Sequence, residues 1–243
     1  MLPLPPGGPL HLVAVAALAA GASGLAALER KGALQLMLSR PLVLAPLLGW
    51  LLGDARGGLL LGVPLELLFL GGVNLGGSVP ENETLLCAGL VSAVVPAGLA
   101  TGQGCDEALC VLGLALLYPL ALAGRRLERA VEQRNGELAT LAQARAAAGD
   151  PDAAALNLHG LWLPFVSSAA VAGACALCSP LLAFARMHAP APLALSLGGS
   201  WHAAWALGLA VAIRSIRDPR AIKLAAVSAV AVLLAAVLLG GLS

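Results

Sequence analysis

Charge is scarce in this sequence. Only 11% of its 243 residues are Asp, Glu, Lys or Arg, while 59% are hydrophobic; a soluble domain carries about 25% charged residues. So few polar side chains cannot coat a water-facing surface, and the mean hydropathy is +0.90. The chain therefore reads as an integral membrane protein. A basic excess is also missing, since 14 Lys and Arg stand against 13 Asp and Glu. That excludes the phosphate-neutralising surface of a nucleic-acid binder. Strict apolar–polar alternation is absent, which argues against an outer-membrane barrel. No basic residue precedes Arg30, so the apolar run 9–28 reads as a retained span rather than a cleaved signal. The glycine clusters lack the lysine of a phosphate-binding loop and the strand–turn–helix context of a dinucleotide fingerprint. Cys175-Ala-Leu-Cys178 has redox or metal spacing but lies in an apolar run without a second pair or a nearby histidine. It reads as small-residue packing, and no metal or cofactor is expected.

What remains is a series of apolar runs at 9–28, 41–53, 57–79, 84–100, 107–124, 158–185, 193–213 and 224–242. A helical span needs about 20 residues, so 41–53 and 84–100 read as re-entrant or broken helices, or as tilted spans completed by their neighbours. The expectation is one all-α domain over 1–243, a polytopic bundle of about six spans plus one or two half-helices. Five of the 14 basic residues lie between Arg125 and Arg145 and four between Arg214 and Lys223. By the positive-inside rule both connections are cytoplasmic. The first belongs to the long polar stretch 125–157, whose five arginines balance five acids. It reads as a solvated connecting helix ended by Gly149-Asp-Pro-Asp.

The informative stretch is Arg40 to Thr84. Asp54 and Arg56 interrupt an apolar run, Pro64 and Glu66 interrupt the next, and Asn74 follows between Gly71-Gly72 and Gly76-Gly77. An acid at bilayer depth costs about 2.5–3.5 kcal/mol on insertion scales, so it normally faces protein or a hydrated cavity. Glycine pairs allow helices to unwind where backbone lines such a cavity. A carboxylate and a carboxamide together suit the hydroxyls of an uncharged sugar. Plainer readings stand beside these. Glu66, two residues after Pro64, would complement the start of its own helix. Asn74 would make one helix-to-helix hydrogen bond. Asp54 and Arg56 would pair in an interfacial turn.

Arg40-Pro41-Leu42, Gly49-x-x-x-Gly53-Asp54, Gly62-x-x-x-Glu66-x-x-x-x-Gly71-x-x-Asn74-x-Gly76 and Val79-Pro80 resemble the IIC subunit of mannose–fructose–sorbose phosphotransferase systems. The likeness extends through Gly102-Gln103 to about Gly124, resumes at Leu158-His159 and fades after about Ala185. The resemblance implies a multi-pass sugar permease of the bacterial inner membrane, of elevator type, that is oligomeric and pairs with a second membrane subunit, IID. It implies that a hexose is phosphorylated as it enters, by soluble IIA and IIB proteins that carry the phosphorylated histidines, so none is expected on this chain. Carried over residue by residue, Glu66 and Asn74 are the sugar contacts, with Asp54, Gly71, Gly76, Gln103 and His159 in support. The competing reading is a non-transporting regulatory or assembly subunit of the same fold. An intramembrane hydrolase built on Ser200 and His202 is disfavoured, because residues i and i+2 of a helix face different ways.

Overall fold

The computed structural model describes residues 8–31, 36–70, 81–150, 153, 155–215, 220, 222–224 and 226–227. Among these, nine helices follow one another: α1 (Pro9–Lys31), α2 (Pro41–Leu52), α3 (Ala55–Phe69), α4 (Glu83–Thr101), α5 (Glu107–Leu117), α6 (Pro119–Ala147), α7 (Ala155–Leu177), α8 (Ser179–Met187) and α9 (Ala191–Ser215). Pro9–Arg30, Glu83–Thr101 and Leu158–Met187 are each long and apolar enough to cross a bilayer, and α5 with α6 makes a fourth such stretch bent by 40°.

Helix α4 is the axis of the bundle. Every side chain from Thr84 to Val95 is buried, because the run is apolar on all faces and α1, α2, α3, α5, α6, α7 and α8 all pack against it. The run at 84–100, short by residue count, is thus a complete span. Asn82 caps its start by accepting the Leu85 N–H at 2.9 Å, and Glu83 and Thr101 complete its length. The span read as continuous at 107–124 is bent by 40° at Tyr118-Pro119, while 158–185 keeps to one spanning stretch, Leu158–Met187, with a turn at Cys178 between α7 and α8. In each case proline sits in the first turn of the second piece, where its missing N–H costs nothing.

Helices α2 and α3 form a hairpin. At 12 and 15 residues they measure only about 18 and 22 Å, less than the roughly 30 Å hydrocarbon core. The half-helix expectation for 41–53 holds; of the run read at 57–79, α3 covers the part up to Phe69, starting at Ala55, and 71–79 lie outside the described residues. Gly53 makes the turn with φ +108°, a conformation that favours glycine. The two helices then run back to back along a glycine seam. A Cβ on Gly58 would lie 2.2 Å from the Ala45 carbonyl oxygen, and one on Gly62 would lie 2.6 Å from that of Pro41. Backbones this close are a general device of membrane helices, which gain from packing rather than from excluding water.

The connectivity gives the bundle two ends. At one, α1 finishes, α2 and α4 begin, α3 finishes, and α6 emerges; Gly124 of α6 packs against Asn82 and Leu85. At the other lie the hairpin turn, the start of α5 and the end of α8; Gly53 faces Leu99 there, and Gly98 faces Gly104 and Cys105. Beyond the first end α6 continues as an exposed helix that turns at Gly149 (φ +77°). This is the solvated connector expected over 125–157, except that it is a direct extension of the span before it. The expected span at 224–242 falls almost wholly outside the described residues.

Candidate functional site

Polar side chains gather at both ends of the bundle, in different states. At the end from which α6 emerges, they are paired with one another. Asn82 Oδ1 also accepts from Arg30 Nη1 at 2.5 Å, and its Nδ2 donates to Glu128 Oε2 at 3.2 Å. One carboxamide thereby joins α1, α4 and α6. Arg125 Nη2 meets Glu81 Oε1 at 2.8 Å. Arg40 stands 3.8 Å from Glu66 and 3.6 Å from Glu83. Glu29 Oε2 accepts the Ser39 N–H at 2.8 Å, and Thr84 Oγ1 donates to the Ser39 carbonyl at 3.0 Å.

Glu66 is central to this group, although not by way of its own helix. Pro64 lies inside α3, whose first turn is capped ten positions earlier by Asp54, so Glu66 cannot complement that helix's start. It reaches across the hairpin instead, and Oε2 accepts the Leu42 N–H in the first turn of α2 at 3.2 Å. There the partial positive charge of the helix end favours a carboxylate. The Glu66 side chain remains 16% exposed, so the group is not sealed in.

The opposite end encloses a cavity of about 1030 Å³. Two aspartates frame it, each holding a helix start: Asp54 Oδ1 accepts the Gly57 N–H at 2.9 Å, and Asp106 Oδ1 accepts that of Leu109 at 2.9 Å. Arg186, from the end of α8, clasps Asp106 through Nε at 2.9 Å and also through Nη2. Gln103, Glu107, Arg56 and the half-buried Trp205 of α9 line the remaining walls. No ion pair joins Asp54 to Arg56, contrary to the expected interfacial turn, because the aspartate is committed to the cap. Cys105 lines the same cavity. Burial, followed by the Asp54 carboxylate beside it, pushes its thiol up to about 12.

The sequence-derived residues therefore separate. Asp54 and Gln103 share the cavity, while Glu66 lies at the other end of α3. His159 is exposed on α7, where Nδ1 contacts the Ala155 carbonyl at 3.1 Å, and it lines neither group. Gly71, Asn74 and Gly76 lie outside the described residues. Ser200 Oγ donates to the Ser196 carbonyl at 2.7 Å, an ordinary intrahelical bond. Sequence reasoning missed Asp106, Glu107, Arg186 and Trp205. Asp106 was findable as a cap residue before the apolar run that opens at Ala108, and Arg186 as the one charge ending the 158–185 run. Nothing in the sequence singled out Trp205.

A bundle of long apolar helices, one of them bent at a break, with two shorter helices forming a hairpin and the described charged groups at its ends, defines a multi-pass membrane protein. The family described as the sorbose-specific IIC component of the phosphotransferase system matches residues 10–239, and the chain belongs to that family of sugar-permease components. The resemblance drawn from residues 40–80 is borne out. Over 88 residues the chain is 35% identical to the mannose-specific EIIC component of Escherichia coli (strain K12) and to the fructose permease IIC component of Bacillus subtilis (strain 168). It is 33% identical to the sorbose-specific EIIC component of Klebsiella pneumoniae. These matches cover 36% of this chain and about 30% of each relative. Among solved structures, one titled only as a membrane protein superposes with a TM-score of 0.67 at 24% identity. The mannose transporter ManYZ in complex with microcin E492 superposes with a TM-score of 0.55 at 23% identity. Each covers 97% of this chain and 93% of its own, and they establish the shared fold.

Proposed function

We propose that this chain is the IIC permease subunit of a phosphoenolpyruvate-dependent phosphotransferase system, carrying a hexose across the bacterial inner membrane while IIA and IIB proteins phosphorylate it. A IID membrane subunit would be its partner, the whole forming an oligomer. The observation that carries the reading is the α2–α3 hairpin. Two helices too short to cross the bilayer are locked back to back, with a cavity at their turn and a carboxylate at their base. Discontinuous helices of this kind are how transporters present polar groups and helix ends to a solute within the membrane.

Sidedness follows from charge. The basic residues of α6 project beyond the end that holds Arg30, Arg40 and Arg125, whereas Arg56 and Arg186 are the described basic residues at the other end. The positive-inside rule makes the α6 end cytoplasmic. The cavity then opens away from the cytoplasm, and Glu66 lies on the cytoplasmic side of the hairpin. In this reading Glu66 and Asn74 hold sugar hydroxyls as the hairpin moves, with Gly71 and Gly76 freeing the backbone between them and Asp54, Gln103 and His159 supporting the pathway.

Uptake of labelled mannose, fructose and sorbose by cells with and without the chain tests the permease. Glu66→Gln keeps an oxygen for the Leu42 N–H and removes the charge; it and Asn74→Ala are each expected to cut uptake while leaving membrane abundance intact. Full uptake in both variants removes these residues from the pathway. Growth and uptake that do not depend on the chain for any sugar would favour the non-transporting assembly subunit.

A further inference from the structure

We infer that the cavity at the hairpin turn is an outward-facing binding vestibule for a neutral, polyhydroxylated solute, with Gln103 and Glu107 binding hydroxyls and Trp205 supplying an apolar platform. This rests on the permease reading and deepens it, by naming a first contact site distinct from the Glu66 region.

Three features of the cavity carry the inference. Its volume of about 1030 Å³ reaches the upper end of the roughly 300–1,000 Å³ of small-ligand pockets, so a monosaccharide enters with its hydration partly retained. Its polar groups divide by task. Asp54 and Asp106 are spent on helix starts, and Arg186 is spent on Asp106. Gln103 and Glu107 are exposed to the cavity, and their side chains make no hydrogen bond or ion pair in the structure. An amide that both donates and accepts, beside a carboxylate that accepts, matches hydroxyl chemistry. Across from them Trp205, half-buried on α9, offers a ring to the less polar face of a sugar.

The charge of the lining selects against anions. Asp54, Asp106 and Glu107 stand against Arg56 and Arg186, and once the Asp106–Arg186 pair is set aside, Arg56 is the one cation left among these groups. A phosphorylated sugar, with a charge of about −1.5 to −2, would meet two carboxylates and a single guanidinium. A neutral sugar has no such penalty. The vestibule thus admits the unphosphorylated form and discriminates against the product.

Ala194 lines the cavity from α9 and provides the test. Ala194→Cys in the full chain is labelled with a membrane-impermeant maleimide added to intact cells, with the parent chain as the blank, in the presence of mannose, fructose, sorbose or mannose 6-phosphate. The expected result is labelling from outside that at least one free sugar slows and the sugar phosphate does not. Adding Gln103→Ala or Glu107→Ala should raise the protecting concentration about tenfold, the effect of one lost hydrogen bond, while the labelling rate without sugar reports an intact fold. Labelling that requires permeabilised cells, or protection by none of the sugars, overturns the inference. So does equal protection by the sugar phosphate. Uptake separates the two readings: protection without uptake sinks the permease and leaves the vestibule, and uptake without protection does the reverse.

Discussion

Replacing Gly58 by alanine puts one methyl group into the hairpin seam, and the structure fixes what it meets. Its Cβ would lie 2.2 Å from the Ala45 carbonyl oxygen, 2.9 Å from the Ala45 carbonyl carbon and 3.0 Å from the Pro46 Cα. All three are backbone atoms of α2, so no side chain can swing away, and the helices must part by about 1 Å to restore van der Waals contact. Overpacking of this kind costs about 1–3 kcal/mol, and a backbone obstacle places Gly58 at the upper end. Alanine returns about 1 kcal/mol of helix propensity, leaving a net loss of about 2 kcal/mol. For a chain of this size that corresponds to a fall of about 4–8 °C in unfolding midpoint. Thermal unfolding in detergent, followed by size-exclusion chromatography of the surviving fraction, measures it. Gly136→Ala on α6 is the control, because a Cβ there meets nothing within 4 Å, and it should be neutral or stabilising. If Gly58→Ala is as stable as Gly136→Ala, the close seam is not what holds α2 to α3.

Asp106→Ala removes both the α5 cap and the Arg186 pair, whereas Arg186→Ala removes only the pair. The first should destabilise by about 1 kcal/mol more than the second, the value of an N-cap, in the same unfolding assay; equal losses would show that the cap contributes nothing. The Cys105 thiol keeps its proton because the folded chain raises its pKa above the 9.0 of an unperturbed thiol to about 12. Below pH 9 that preference is fully present as stability, and it is lost as the pH rises towards 12. Alkylation, which needs the thiolate, should therefore be about a thousandfold slower than for a free thiol near pH 8, a factor set by three pKa units, and should still be rising at pH 10. A plateau near pH 9 would refute the assignment.

Much of this architecture is legible in the sequence, for reasons that differ by element. Uniformly apolar runs announce α1, α4 and α9 because the bilayer imposes a length on any helix that crosses it. The 41–53 run was readable as half a span since Gly53-Asp54 supplies both a left-handed turn and the next helix's cap. Run-counting falls one residue short at each end of α4, because hydropathy does not see a cap: Glu83 and Thr101 look like loop residues, yet they belong to the helix that Asn82 caps. It also misses the 40° bend at Tyr118-Pro119, since the run 107–124 is apolar on both sides of the break. The site was legible only in part. Residue types singled out Glu66 and Asp54, while their positions at opposite ends of one helix, and the arrival of Trp205 and Arg186 from distant segments, exist only once the chain has folded.

The contrast between the two ends bears on which polar groups bind and which build. At the α6 end Arg30, Arg40, Arg125, Glu66, Glu81, Glu83 and Glu128 have internal partners, and several are shared: Asn82 serves a helix cap, Arg30 and Glu128 together, with Glu128 only 7% exposed. Removing one member of such a set strands the others at a cost of about 3–5 kcal/mol, so selection on stability alone would keep these residues. At the cavity end Gln103, Glu107 and Arg56 hold nothing together, and their removal would leave no buried group without a partner. In a chain with so few charges, polar side chains that do no structural work at a cavity wall require another reason to be there, and a solute that passes through is the reason the rest of the fold supports.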